Sequence, residues 1–172
     1  MTNIEVKTRV KQYQIKIMID SLHHLGTLVT KVWCARQVAV VTDTNVGPYY
    51  AKLVTDELTA AGFKVRVMTV PAGEASKSWS QVQSLIDQLS ATLFSRSDGV
   101  IALGGGVVGD LAGFVASIYM RGIALIQVPT SLLAQVDSSV GGKTAIDLPT
   151  GKNLVGSFYQ PDLVVIDPAI LV

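Results

Sequence analysis

Apolar and polar residues change their period several times along the chain, and each change marks an element. Ile4 and Val6, then Tyr13, Ile15 and Ile17, recur at every second residue around a polar stretch, which predicts an opening β-hairpin. Beyond it, short runs rich in branched residues alternate with helical patterns. VAVVT (Val38–Thr42), VRVMTV (Val65–Val70), GVIAL (Gly99–Leu103), IALIQVP (Ile123–Pro129) and LVVID (Leu163–Asp167) read as strands. Between them, Pro48 opens a helix with Tyr50, Leu53, Val54 and Leu58 on one face, and Gly62 ends it. Ser78 and Gln81 have the spacing of a capping box for a helix carrying Trp79, Val82, Ile86 and Leu89. A further helix directs Leu111, Phe114, Val115 and Ile118 inward.

This alternation predicts an α/β, Rossmann-like fold: a mostly parallel sheet with helices on both faces, preceded by the N-terminal β-hairpin. Such sheets bind ligands at the carboxyl ends of their strands. The segments that follow the strands are TDTN, PAGEASK, GGGVVGD and PTS, all polar or glycine-rich and all expected on one edge.

Composition narrows the classes. Apolar residues make up 49% of the 172 and charged ones 16%, enough for a packed core and too apolar for a disordered chain. Fourteen basic residues against thirteen acidic leave a net charge of +1 with no basic block, which argues against nucleic acid as a partner. The longest uncharged run, between Arg121 and Asp137, is fifteen residues long and holds Pro129, too short to span a membrane. The N-terminus has no apolar signal core, and the single Cys34 excludes an internal disulfide, so a cytoplasmic location is expected. His23 and His24 are adjacent and read as ordinary helix or turn residues; no metal site is expected in this chain.

Candidate chemistry begins with GGGVVGD. Gly104, Gly106 and Gly109 have GxGxxG spacing after a strand and before a helix, where bare backbone and a helix terminus suit a pyrophosphate. The acidic residue expected about twenty positions on is missing, with Arg121 and Gln127 in that region. Asp43 and Asn45 are the alternatives for ribose contacts, or they form a helix-capping turn before Pro48. Asp110 either sits at a helix N-terminus for its dipole or orients a ribose or carboxamide. Glu74 and Lys77 belong either to the site or to a solvated turn.

GGKT, within QVDSSVGGKTAID, imitates the end of a phosphate-binding P-loop. That loop needs glycine where Asp137 stands, and Pro149 and Gly151 break the helix that should follow. Asp137, Lys143, Lys152 and Asn153 instead supply donors and charges for an anionic, hydroxylated ligand, on what reads as a long functional loop.

RGIALIQVPTSLLAQVDSSVGGKTAID, followed by GKNLVGSFYQP and preceded by GGGVVGD, closely resembles the 3-dehydroquinate synthase family. The likeness runs through TDTN, PAGEASK and the closing VVIDP. It implies a two-domain enzyme of the shikimate pathway dependent on NAD and a divalent metal, zinc or cobalt. Such an enzyme converts 3-deoxy-arabino-heptulosonate 7-phosphate to 3-dehydroquinate and phosphate. By motif position, NAD would be met by Asp43 and Asn45, by Gly73, Glu74 and Lys77, and by Gly104, Gly105, Gly106, Val107, Gly109 and Asp110. Thr130, Ser131 and Leu133 would complete that set. Asp137, Lys143, Lys152 and Asn153 would line the meeting place of nicotinamide and a phosphorylated sugar acid. Arg121 resembles an arginine that reaches the substrate phosphate across a homodimer interface. The family holds its metal with a glutamate and two histidines in a second, helical domain, and none of these occurs before Val172. Residues 1–172 are therefore expected to be the N-terminal NAD-binding domain, inactive alone. A related cyclase acting on sedoheptulose 7-phosphate, or a dinucleotide-binding module without catalysis, are the alternatives.

Overall fold

The computed structural model describes residues 2–171. A seven-stranded sheet forms its centre, with strand order β1-β2-β9-β6-β5-β3-β4. Strands β1 (Thr2–Lys7) and β2 (Gln12–Ile17) form the expected antiparallel hairpin, in which Ile4 faces Ile15 and Val6 faces Tyr13. From β2 onward every pairing is parallel: β9 (Leu163–Ile166), β6 (Ala124–Pro129), β5 (Gly99–Gly104), β3 (Gln37–Asp43) and β4 (Lys64–Val70).

Alternate residues of the central strands feed two separate cores, as the pleat requires. Val100 and Ala102 of β5 face the helices α3 (Trp79–Ala91) and α4 (Gly106–Ile118). Ile101 and Leu103 face the opposite layer, built from α1 (Leu25–Val29) and α2 (Gly47–Ala60). Both faces are thus covered, the doubly wound arrangement expected of buried parallel strands.

Several sequence expectations shift in detail. Ser78 caps α3 by accepting from the Gln81 N–H at 3.4 Å. Trp79 is half exposed rather than inward, because it lies at the first turn and leans edge-on against Phe114. Leu85 takes the buried position instead. Ile118, at the last turn of α4, is also partly exposed. His23 and His24 are exposed in a short turn before α1, as ordinary turn residues.

The largest departure lies between Lys143 and Phe158. Read as a loop, this stretch is a second, two-stranded antiparallel sheet of β7 (Lys143–Leu148) and β8 (Gly151–Phe158). Gly141 and Gly142, at φ 90° and 72°, turn the chain into β7, a left-handed conformation that glycine adopts readily. The hairpin lies on α4 at close range. A Cβ on Gly113 would come within 2.5 Å of Thr144 Cγ2, and one on Gly156 within 2.0 Å of the Thr144 carbonyl oxygen. Ile146 plugs the apolar core, while a run of hydroxyls secures the other end. Thr144 Oγ1 donates to the Ser157 carbonyl at 3.0 Å, and Ser157 Oγ donates to Ser117 Oγ at 2.8 Å. Among the described residues no helix is long and apolar enough to cross a membrane.

Candidate active site

The parallel strands deliver their carboxyl ends to one edge, and the polar segments gather there. Gly104 ends β5 and Gly106 begins α4, with Gly105 as an N-cap that carries no side-chain cap. The amino end of this 13-residue helix therefore keeps N–H groups and its dipole free for an anion. The glycines also serve packing. A Cβ on Gly109 would stand 3.0 Å from Gln127 Oε1, and one on Gly106 would stand 3.0 Å from Ser138 Oγ. Gln127 is buried and donates to the Gly109 carbonyl at 3.2 Å, so it braces the loop from beneath.

Thr130 donates its N–H to the Gly104 carbonyl at 3.0 Å, holding the segment after β6 beside the glycine loop. Ser131 Oγ accepts from the Ala134 N–H at 3.3 Å and so starts a helical turn. That turn passes through exposed Leu133 and ends in a widened π-type turn, Ala134–Ser138, that carries Asp137. Asp43 sits at the end of β3. One of its carboxylate oxygens accepts from the Asn45 and Val46 N–H groups at 2.8 and 2.9 Å, which makes the turn into α2. Val46, as N-cap, supplies no side chain, so Asp43 does the capping from further out.

The electrostatic centre is Lys77. Its side chain is 4% exposed, and its ammonium donates to Asp110 Oδ2 at 2.8 Å and to Asn153 Oδ1. Glu74 Oε1 and Asp147 Oδ1 stand at 3.7 and 3.9 Å from the same nitrogen. Gly73, at φ 103°, turns the chain from β4 into the short turn that presents Glu74 and Lys77. Three elements thus meet on one buried cation: the loop after β4, the first turns of α4, and the hairpin. Burial raises the Asp110 pKa above its ordinary value; the Lys77 hydrogen bond and charge oppose this, and Glu74 and Asp147 add to it. Lys152 Nζ approaches Glu74 Oε1 at 3.5 Å from the solvent side.

A cleft of about 440 Å³ opens beside this cluster, between the hairpin and the Asp137 turn. Asp110, Asp137, Ser138, Lys143, Thr144 and Asn153 are among its walls, with Leu154 and Phe158 as apolar lining. Lys143, Lys152, Asn153, Asp137, Asp110, Glu74 and Lys77 are thereby brought together. Arg121 is not among them: it lies beyond the carboxyl end of α4, in a left-handed turn at φ 64°. Sequence reading overlooked Ser138, in the turn against Gly106, and Ser157, in the hairpin, and it took Asp147 only as a weak oxygen ligand for metal. Among the described residues, no three His, Cys, Asp or Glu side chains group as a metal centre.

Residues 67–172 match the family model of the 3-dehydroquinate synthase N-terminal region. The chain is 97% identical over 172 residues to the 3-dehydroquinate synthase of Lactiplantibacillus plantarum, covering 100% of this chain and 48% of that protein. It spans about half the length of the curated relatives it matches. Among solved structures it resembles 2-deoxy-scyllo-inosose synthase complexed with carbaglucose-6-phosphate, NAD+ and Co2+. That likeness has a TM-score of 0.90 at 29% identity, over 99% of this chain and 47% of the other. It also resembles 2-epi-5-epi-valiolone synthase from Streptomyces hygroscopicus subsp. jinggangensis with NAD+ and Zn2+ bound. The TM-score there is 0.84 at 25% identity, over 97% of this chain and 46% of the other. A family match over most of the chain, together with near identity to one named member, establishes that the chain belongs to the 3-dehydroquinate synthase family.

Proposed function

We propose that this chain is the NAD-binding part of a 3-dehydroquinate synthase. The whole protein would convert 3-deoxy-D-arabino-heptulosonate 7-phosphate to 3-dehydroquinate and phosphate. The observation that carries the reading is the meeting of Lys77, Asp110, Asn153 and Lys152 beside the uncapped amino end of α4, at the carboxyl edge of the parallel sheet. That cradle fits a dinucleotide. Its glycines leave backbone bare where a pyrophosphate would approach, and the free N–H groups offer the hydrogen bonds an anion needs.

When bound, NAD supplies a hydride acceptor that later returns the hydride. The chain's own residues do the positioning. The Gly105–Val107 backbone and the α4 dipole would hold the pyrophosphate, and Asp43, Asn45 and Glu74 would take its sugar hydroxyls. Asp110, whose carboxylate accepts from the Lys77 ammonium at 2.8 Å and lines the cleft, would accept from a ribose hydroxyl or from the carboxamide of NAD. Exposed Lys143, which lines the cleft together with Asp137, would offer an ammonium to the anionic groups of the substrate. Arg121, in the turn beyond α4, would serve a second copy of the chain in a homodimer. Among the described residues no three His, Cys, Asp or Glu side chains group; by the family resemblance, a glutamate and two histidines of the second domain would hold the divalent metal in the full-length protein.

Isothermal calorimetry of the folded chain with NAD tests the reading, paired with phosphate release by the full-length protein from the heptulosonate phosphate and from sedoheptulose 7-phosphate. Expected are saturable NAD binding and turnover of the heptulosonate. The absence of saturable heat up to ~5 mM NAD would remove the dinucleotide reading, since weaker binding would gain less than about 3 kcal/mol. Preference for the heptulose phosphate would move the protein to a neighbouring cyclase activity.

A further inference from the structure

We infer that Asp147 is a positioning residue whose carboxylate fixes a bulge in β8 and thereby aims Lys152 and Asn153 together at the Glu74–Lys77 loop. The functional weight of the inference rests on the NAD reading above.

In a regular strand, consecutive side chains point to opposite faces, so Lys152 and Asn153 should diverge. Here Lys152 Nζ approaches Glu74, and Asn153 Oδ1 accepts from Lys77, three residues further along the same loop. The register explains this. Ile146 pairs with Val155 and Leu148 with Gly151, so Asp147 alone stands opposite Lys152, Asn153 and Leu154. Such bulges re-aim side chains, and they leave ladder groups unpaired. Asn153 adopts φ 58°, a left-handed conformation open to asparagine but not favoured, and its N–H leaves the ladder.

Asp147 accepts that N–H on Oδ1 at 2.7 Å. Its own N–H donates to the Lys77 carbonyl at 2.8 Å. One residue therefore ties the bulge by its side chain and the Lys77 loop by its backbone. Asp147 is not among the residues lining the cleft, so it acts through Asn153, Lys152 and Lys77.

The test uses Asp147→Ala and Asp147→Asn in this chain, read by hydrogen exchange of the Asn153 N–H without ligand and by NAD affinity. Alanine removes the acceptor and should speed Asn153 exchange at least ~10-fold and weaken NAD about 10-fold. Asparagine keeps an acceptor oxygen and should restore both to within about threefold of the parent. Unchanged Asn153 exchange in the alanine variant would overturn the inference. So would equal losses in both variants, which would mean that charge at Lys77 and not the hydrogen bond matters. Should the alanine variant fail to fold, loss of Asn153 protection in the asparagine variant alone would still overturn it. A parent chain that binds no NAD would sink the reading of the site. Faster exchange in alanine with rescue by asparagine would uphold the positioning of the bulge regardless.

Discussion

Strand β5, in the large sheet, buries all six of its residues and is paired on both sides, whereas β8, in the small sheet, buries none of its eight. The first is fixed by apolar contacts on two faces, so any change of volume there is felt through both cores. The second is seated by Ile146 of its partner β7 and by half-buried Val155, together with hydroxyls, a carboxylate and a shared ammonium. Polar contacts are directional, so they fix where Lys152 and Asn153 point without contributing much to global stability. The core supplies the platform, and the hairpin supplies the aim.

Three substitutions break or sharpen that contrast. Lys77→Met should have the largest effect, about 3 kcal/mol lost in urea unfolding, because it strands Asp110 beside Glu74 and Asp147 without their cation. Adding Asp110→Asn to that variant should recover more than half the loss. A loss below about 1 kcal/mol would show that the three elements are held independently of Lys77.

Gly156→Ala comes next. Its methyl would meet the Thr144 carbonyl at 2.0 Å, so the hairpin must open or shift, at about 2 kcal/mol. Amide exchange should accelerate across 143–158 while β5 and β6 keep their protection. If β5 loosens in step, the two sheets form one cooperative unit and the contrast fails.

The smallest effect concerns acid. The folded-state pKa of Asp110 is raised, so its contribution to stability is fully present below the ordinary carboxylate value of 3.8 and is lost as pH rises through the folded value. Comparing urea midpoints of the parent and Asp110→Asn from about pH 3 to about pH 7 reads this directly. The parent should lose ground against the variant as pH rises through that window. A parent that instead gains ground would mean that Lys77 outweighs burial at this site.

The same contrast explains what the sequence made legible. Runs such as VAVVT and GVIAL could be placed as buried parallel strands because each puts four consecutive apolar residues, rich in branched side chains, in a run too short for a helix. The edge on which TDTN, PAGEASK and GGGVVGD gather followed from parallelism alone. The β7–β8 hairpin escaped notice because its glycines and Pro149 imitate a loop, although Thr144, Ile146 and Leu148 do alternate. Lys77 and Asp110 are 33 residues apart, and only the folded chain shows that they are one group. Asp43 illustrates the converse: the turn it makes into α2 was open to reading from its place before Asn45 and Pro48.

Gly113 carries a consequence for the dimensions of the cleft. Its missing Cβ lets β7 lie directly on the main chain of α4, with Thr144 filling the space a methyl would occupy. The gap between helix and hairpin is therefore gauged by backbone thickness, a length that side-chain drift elsewhere in the molecule cannot retune. Any residue larger than glycine would act as a shim, lifting the hairpin as a unit and carrying Lys143 and Asn153 away from Asp110 by the same increment.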